Sequence, residues 1–392
     1  MALTERAILT DMREGSQSTT KVLFLAHIDV SRPFNGTSTR SRQFLMALAA
    51  EAEVHVVYMD SPRDGAGAAI GGDLPDGLAS VTAVPQSGFG YAVFDRSFLT
   101  AASAVMRETG CDVILADFEK AGLYGAILAR RFRRPLIYST HDVEYARYLA
   151  LARRDWRRGV LAPYVYLTER VAASLAEHVT CITPADLASF GRWIPSDRLS
   201  LLPGGFDPAE FNPDHAGAAV PPTILFVGNL TYPPNREAVE VISQRIIGPV
   251  LEQVPQAHFR MIGVYPPGLD KTEPRAEFAG FVPDLAPVLK AARLVIVPVL
   301  RGAGMRIKTV EALACGKQVV ATVKGAEGID AARATRLRIV PLDDFADAVI
   351  DELRHGTADE PADFAWLTET YATEHVLRRL TGLVESVARR RK

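Results

Sequence analysis

The stretch RLVIVPVLRGAGMRIKTVEALACGKQVVATV, residues 293–323, decides how this chain is read. Its opening RLVIVPVL is apolar on both faces, as a buried strand of a parallel sheet is, and runs straight into Arg301-Gly-Ala-Gly304. The spacing of Ile307, Val310 and Ala314 predicts a helix from near Met305, and KQVVATV (317–323) is a second apolar run after it. Strand, glycine turn, helix and strand make up the repeating unit of a doubly wound α/β sheet.

That helix also carries the charges. At about 100° per residue, Lys308 and Glu311 fall on one flank of the apolar stripe beneath Gly304, and Arg306 joins them only from the lead-in. A glycine turn opening a helix leaves backbone N–H groups unpaired and lets phosphates come close. A diphosphate would use both cations, and a carboxylate one turn deeper would accept hydrogen bonds from a ribose diol. From spacing alone, an exposed Lys308–Glu311 ion pair explains the same residues equally well.

Working outward, TILFVGNL (223–230) and HFRMIGV (258–264) read as further strands, with helical segments NREAVEVISQRI and DLAPVLKAAR between strands. The same grammar fills the first half: KVLFLAHI (21–28), a helical pattern from Ser41 to Glu51, VHVVYM (54–59), DVILAD (112–117), PLIYST (135–140) and HVTCIT (178–183). PDHAGAAVPP (213–222) interrupts it. The expected architecture is therefore α/β, with two Rossmann-like domains facing across a cleft and ligands at the carboxyl ends of the strands. The expected parts are a mobile leader over 1–20, an acceptor-side domain over 21–215 and a nucleotide-sugar domain over 222–365. A C-terminal helix over 366–392 is expected to cross back to the first domain.

A length of 392 residues suits two domains, each with a full core. With 48% hydrophobic residues, 23% charged residues and a net charge of −2, the chain is neither disordered nor a general nucleic-acid binder, so any anion site is local. Cys111, Cys181 and Cys315 lack the spacing of a zinc site or disulfide framework, which fits a reducing cytoplasm. No apolar run approaches the roughly 20 residues of a membrane span. The closing ARRRK is read as solvating a helix end, with weak contact to an anionic membrane surface as the alternative. Alanine- and arginine-rich usage points to a bacterium of high GC content.

Taken with PGGFDPAEFNP (203–213), FVGNLTYPPNREAV (226–239) and TVKGAEGI (322–329), the opening stretch resembles the retaining glycosyltransferases of the family-4 type, with their two-domain GT-B fold. In the first half, NGTSTRSRQFLMALA (35–49) is similar to the family's acceptor loop and first helix, and STHDVEYARY (139–148) to its histidine-bearing loop. The resemblance covers about residues 21–390 and implies transfer of a sugar from a UDP-, GDP- or other nucleoside-diphosphate sugar to an acceptor hydroxyl with retention. The acceptor could be a glycan, a lipid-linked molecule or a small molecule. It implies catalytic roles for His141, Arg306 and Lys308. The donor would be held by Gly228, Asn229, Gly302, Ala303, Gly304, Met305, Glu311 and Glu327, and the acceptor loop would be Gly36, Thr37 and Arg40. By themselves, His141 reads as a capping or loop histidine and Glu327 equally as a turn acid.

The chain departs from the family at two points. Ala303 stands where many relatives place a first glutamate, and Gly228-Asn229-Leu230 replaces a Gly-Arg-Leu, so Arg306 and Lys308 would supply the missing charge, as in a subgroup with a glycine turn followed by Arg, Lys and Glu. Asp142 and Glu144 are candidate bases, but front-side substitution, in which the leaving phosphate helps deprotonate the acceptor, requires none. No strand-end Asp-X-Asp pattern appears, so metal-independent transfer without a cofactor is expected. The competing readings are a non-hydrolysing sugar-nucleotide epimerase and a catalytically silent GT-B partner or scaffold. A nicotinamide enzyme is disfavoured, because AHIDVSRPFNG stands where Gly-X-Gly-X-X-Gly would be needed.

Overall fold

A computed structural model describes residues 19–31, 36–60, 74–86, 94–152, 156–214, 222–302, 304–356 and 363–390. The chain divides into two compact units, one of residues 1–202 with 377–392 and one of residues 203–376. Among the described residues no helix is long and apolar enough to cross a membrane.

The first unit runs β1 (Lys21–Ala26), α1 (Gly36–Glu51), β2 (Glu53–Asp60), β3 (Ser80–Pro85), α2 (Arg96–Thr109), β4 (Val113–Asp117) and α3 (Glu119–Phe132). It continues with β5 (Leu136–Ser139), α4 (Glu144–Leu151), α5 (Trp156–Leu175), β6 (His178–Cys181), α6 (Pro184–Phe190) and β7 (Leu199–Leu201). Its seven strands lie in the order β3-β2-β1-β4-β5-β6-β7, all parallel, with Val22 of the central strand opposite Val54 on one side and Val113 on the other. The interior of β1 from Val22 to Ala26 has no solvent exposure, which explains its apolar residues on both faces. One core layer joins Leu23, Leu25 and Ile114 to Phe98, Met106 and Leu128 of the helices. Helix ends follow local chemistry: Asp95 caps α2 by accepting from Ser97 and Phe98 N–H, and Gly110 closes it at φ 63°. Thr183 and Asp186 form a capping box at α6.

The second unit runs β8 (Thr223–Val227), α7 (Pro233–Val241), α8 (Ile247–Gln253), β9 (His258–Ile262), β10 (Ala276–Gly280), α9 (Ala286–Ala291) and β11 (Leu294–Val297). Then come α10 (Ile307–Ala314), β12 (Val319–Ala321), β13 (Leu337–Ile339), α11 (Phe345–His355) and α12 (Phe364–Tyr371). A π-helical turn, Ile242–Ile246, joins α7 to α8. Its six parallel strands lie in the order β10-β9-β8-β11-β12-β13, with cores on both faces of the sheet. The final helix, α13 (Thr373–Arg389), starts in this unit, and residues from Leu377 onward group with the first.

Both sheets thus have the Rossmann strand order, and each reverses direction beside its first strand, between β1 and β4 and between β8 and β11. Several boundaries differ from the sequence reading. The first helix begins at Gly36, not Ser41, so Gly36, Thr37 and Arg40 are helical. α10 begins at Ile307, because Arg306 has the non-helical φ −89° and ψ 73° of a capping residue. The units divide at Leu202 and Pro203, ahead of the 213–222 break, since Phe206 and Phe211 enter the second core. Phe206 is fixed there by accepting from Thr373 N–H (2.8 Å) and donating to Tyr371 O (3.0 Å). Residues 1–18, 215–221, Ala303 and 391–392 lie outside the described residues, and with them most of the expected leader, most of the break and one donor position.

Candidate functional site

At the second switch point, β11 leads through residues 298–306 to α10. Gly302 and Gly304 adopt φ of 110° and 85°, a region L-residues avoid, so glycine is needed at both. A Cβ on Gly302 would also stand 2.9 Å from Arg306 Nη2. Arg306 binds the neighbouring loop: its N–H donates to Glu327 O (3.1 Å), its Nε to Lys324 O (3.0 Å) and its Nη2 to Arg301 O (3.2 Å). Its guanidinium is engaged with backbone carbonyls of both loops, contacts the sequence reading did not include.

Below that cap, Lys308 Nζ donates to Glu311 Oε1 at 3.2 Å and stands 2.8 Å from Oε2. The second contact lacks hydrogen-bond geometry, so Oε2 is buried without a hydrogen-bond partner despite the nearby ammonium. The pair is asymmetric, with 46% of the Lys308 side chain exposed and 8% of Glu311. Burial pushes the Glu311 carboxyl above its ordinary value, and Lys308 opposes that shift. The pairing was legible from spacing, whereas the burial of its acid was not.

Lys324 and Glu327 repeat the pattern one loop away, with Lys324 40% exposed and bonded to Glu327 Oε1, and with Glu327 Oε2 again buried and without a partner. The two loops interlock: Thr309 Oγ1 donates to Gly325 O (3.1 Å), and a Cβ on Gly328 would stand 2.8 Å from Met305 Cγ. The PGGFD segment arrives beside them, since a Cβ on Gly204 would lie 3.4 Å from Ile307 Cδ1 and 3.8 Å from Met305 Sδ. Lys324 and Gly204 were absent from the sequence-based site. Their signals were a second Lys-X-X-Glu and the glycine pair at 204–205.

Across the same switch point, Gly228 and Asn229 shape a turn. Asn229 Oδ1 accepts from Thr231 N–H (3.0 Å) and Thr231 Oγ1 (2.7 Å), and its carbonyl accepts from Asn235 Nδ2 (2.9 Å). Asn235 packs so closely that a Cβ on Gly228 would be 2.8 Å from its Nδ2.

The first switch point is built around Asp117, at the end of β4. Its Oδ1 meets His141 Nε2 at 2.9 Å and its Oδ2 accepts from Ser41 Oγ at 2.5 Å, with all three residues buried. Burial would raise the Asp117 carboxyl, but His141, Ser41 and the charge of Arg40 outweigh it and hold the group below its ordinary value. Arg40 itself is buried, donates to Leu202 O (2.7 Å) and lies 4.4 Å over the Phe44 ring; burial lowers it to about 10. It is an interior charge, not the loop cation of the sequence reading. Phe118 follows at φ 77° and ψ 156°, a conformation rare outside glycine, and stands edge-on to His141 at 5.5 Å. Asp142 and Glu144 do not offer an open base, because Arg147 grips Glu144 through Nε (2.9 and 3.0 Å) and reaches Asp142 at 4.0 Å. Among the described residues no group of three or more His, Cys, Asp or Glu side chains is placed to hold a metal.

Residues 34–210 match the family model Glycosyltransferase Family 4, and residues 221–355 match the model Glycosyl transferases group 1. No curated protein matches the chain. Among solved structures, sucrose-phosphate synthase from Thermosynechococcus elongatus is 18% identical with a TM-score of 0.71, over 94% of this chain and 99% of that one. HepE of Anabaena, solved with UDP-glucose, is 17% identical with a TM-score of 0.64, over 93% and 99%. WaaG, a glycosyltransferase involved in lipopolysaccharide biosynthesis, is 17% identical with a TM-score of 0.60, over 94% and 98%. These likenesses show the shared fold. With a glycosyltransferase family model matching each half of the chain and two Rossmann-like units of the kind those structures contain, the findings support a GT-B glycosyltransferase.

Proposed function

We propose that the protein transfers a hexose from a nucleoside-diphosphate sugar to an acceptor hydroxyl, with retention at the anomeric carbon and without a metal. The observation that carries this reading is the buried Glu311 carboxylate, which is ion-paired to the half-exposed Lys308 ammonium (2.8 Å from Oε2) in the helix that follows the Gly302 to Gly304 turn. A carboxylate has about four acceptor sites, more than one lysine fills, and a ribose diol supplies further donors of the right chemistry. The half-exposed ammonium groups of Lys308 and Lys324 would meet the diphosphate, where negative charge grows as the sugar–phosphate bond breaks. Arg306 would hold the 301–306 and 324–327 loops together around it. In the first unit, Asp117 accepts from His141 Nε2 and so orients the ring for a hydrogen bond to the transferred sugar or the diphosphate. HepE, solved with UDP-glucose, supports a uridine nucleotide as the first donor to test.

A thermal-shift screen of nucleotides and nucleotide sugars tests the reading, since a ligand at 100 times its dissociation constant adds about 2.7 kcal/mol to the native state. The bound donor is then incubated with candidate acceptors in EDTA and the product anomer read by NMR. Retained configuration and undiminished turnover are expected. An inverted product would remove the mechanism, and lost activity in chelator would reveal a metal. Conversion of the nucleotide sugar without acceptor would favour an epimerase.

A further inference from the structure

Helix α5 presents apolar residues on two opposite faces. Ala162, Val165, Ala172 and Ala173 point into the first unit, where the helix packs against α3 and α4. At about 100° per residue, Trp156, Val160, Tyr164, Leu167, Val171 and Leu175 fall within one sector of roughly 100° on the opposite side. Trp156, Val160 and Leu167 are 72%, 67% and 61% exposed, and Tyr164 and Leu175 are exposed as well. The stripe runs about 28 Å along the helix. Isolated exposed apolar side chains are ordinary, but a row of five exposed ones on one helix face, led by a tryptophan and interrupted by the half-buried Val171, marks a contact surface.

The charges on the helix decide what fits there. α5 carries Arg157, Arg158 and Arg170 against a single acid, Glu169, and Glu169 is buried on the inward face. Arg158 falls on the inward face, 5.9 Å over the buried Tyr148 ring, so the outward half is apolar with one arginine on each flank, Arg157 and an Arg170 stacked 4.0 Å over Trp193, in a chain whose formal net charge is −2. A second copy is a poor occupant, because a two-fold pairing would bring like-charged flanks together, and a stripe one helix wide falls well below the roughly 800 Å² per partner of a stable interface. An anionic lipid surface satisfies both features, taking the apolar row at the boundary between headgroups and acyl chains and the arginines at the phosphates.

We infer that the outward face of α5 docks the first unit onto an anionic bilayer surface, with Trp156, Val160 and Leu167 as its apolar anchors. The docking does not depend on the proposed glycosyl transfer and is tested without any nucleotide sugar. The full-length protein is floated with vesicles of phosphatidylcholine alone and of phosphatidylcholine mixed with phosphatidylglycerol, at low and high salt. Flotation with the mixed vesicles, weakened by salt, is expected. The triple variant Trp156→Ser, Val160→Gln, Leu167→Gln should lose at least about tenfold in vesicle affinity. Because that variant changes only exposed side chains, its melting temperature is expected to hold, and Arg157→Gln provides a milder second variant with a smaller loss. No flotation by the wild type, equal flotation with neutral vesicles, or undiminished flotation of the triple variant would overturn the inference. So would a concentration-dependent dimer that the triple variant abolishes, which would assign the face to a second copy.

Discussion

At the first sheet's switch point Asp117 is enclosed by Ser41 and His141 with the charge of Arg40 nearby, all four residues buried. At the second, Lys308 and Lys324 keep 46% and 40% of their side chains in solvent, while the acids they pair with each retain a buried oxygen that has no hydrogen-bond partner. The strand order is the same, while the charged groups beside the switch point are buried in one unit and half exposed in the other. An enclosed ionic cluster is costly to break, because removing one member strands its partners in a medium that cannot solvate them. A half-exposed pair contributes little to stability.

The largest expected effect follows directly. Asp117→Ala leaves the Arg40 charge buried without its acid and should cost about 3 to 5 kcal/mol of unfolding free energy in denaturant titration. Glu311→Gln, in the helix that follows the corresponding strand of the other unit, should change stability by less than about 1 kcal/mol, since Lys308 is half in solvent. Equal losses at the two sites would erase the distinction between a structural and a ligand-ready switch point. On the proposed reading, the same Glu311→Gln should weaken nucleoside-diphosphate binding by roughly 1.5 to 3 kcal/mol in calorimetry, through loss of a charge-assisted hydrogen bond. Unchanged affinity would remove the ribose assignment.

What could be read in advance follows the same physics. The inner strands β1, β2, β4, β5, β6, β8, β9, β11 and β12 were visible because burial on both faces leaves long apolar runs. The unread strands were β3, β7, β10 and β13, and these are the four sheet edges, where half-exposed sequences such as AEFAG and LSL carry little periodic signal. In the site, Lys308 and Glu311 were paired by helical spacing, a local property. The partners of Asp117 lie 76 and 24 residues away in sequence, and its enclosure by Ser41 and His141 depends on tertiary packing that no local pattern encodes. The loop contacts of Arg306 were not legible for the same reason, because its acceptors on Lys324 and Arg301 are backbone carbonyls and leave no mark in side-chain identity.

Arg306 supplies the next test of the contrast. If its guanidinium serves the loops, Arg306→Ala removes hydrogen bonds to two carbonyls at about 1 kcal/mol each and should lower stability by about 1 to 2 kcal/mol. Affinity for a nucleoside and for its diphosphate should then fall together. Stability unchanged with a selective loss of turnover would restore Arg306 as a transition-state cation and make the second switch point more catalytic than structural.

The smallest effect concerns Lys308, and it separates the two parts of the proposed donor. Lys308→Ala should weaken diphosphate binding by roughly 1 kcal/mol at alkaline pH, a modest loss because the ammonium is half in solvent, and leave the bare nucleoside untouched there. At lower pH the nucleoside becomes sensitive as well. Burial already raises the Glu311 carboxyl, and Lys308 is the group that pulls it back. Removing the cation therefore moves the carboxyl further up. A ribose diol donates to the ionised acid, so nucleoside binding is full above the carboxyl's value in the folded protein and is lost as pH falls through it. In the variant that loss should begin at a higher pH than in the wild type, as isothermal titration of a nucleoside over a pH series would show. A pH profile identical in both proteins would mean that Lys308 does not govern the charge on Glu311, and the second switch point would then hold its acid as independently of the exposed lysine as the first holds Asp117.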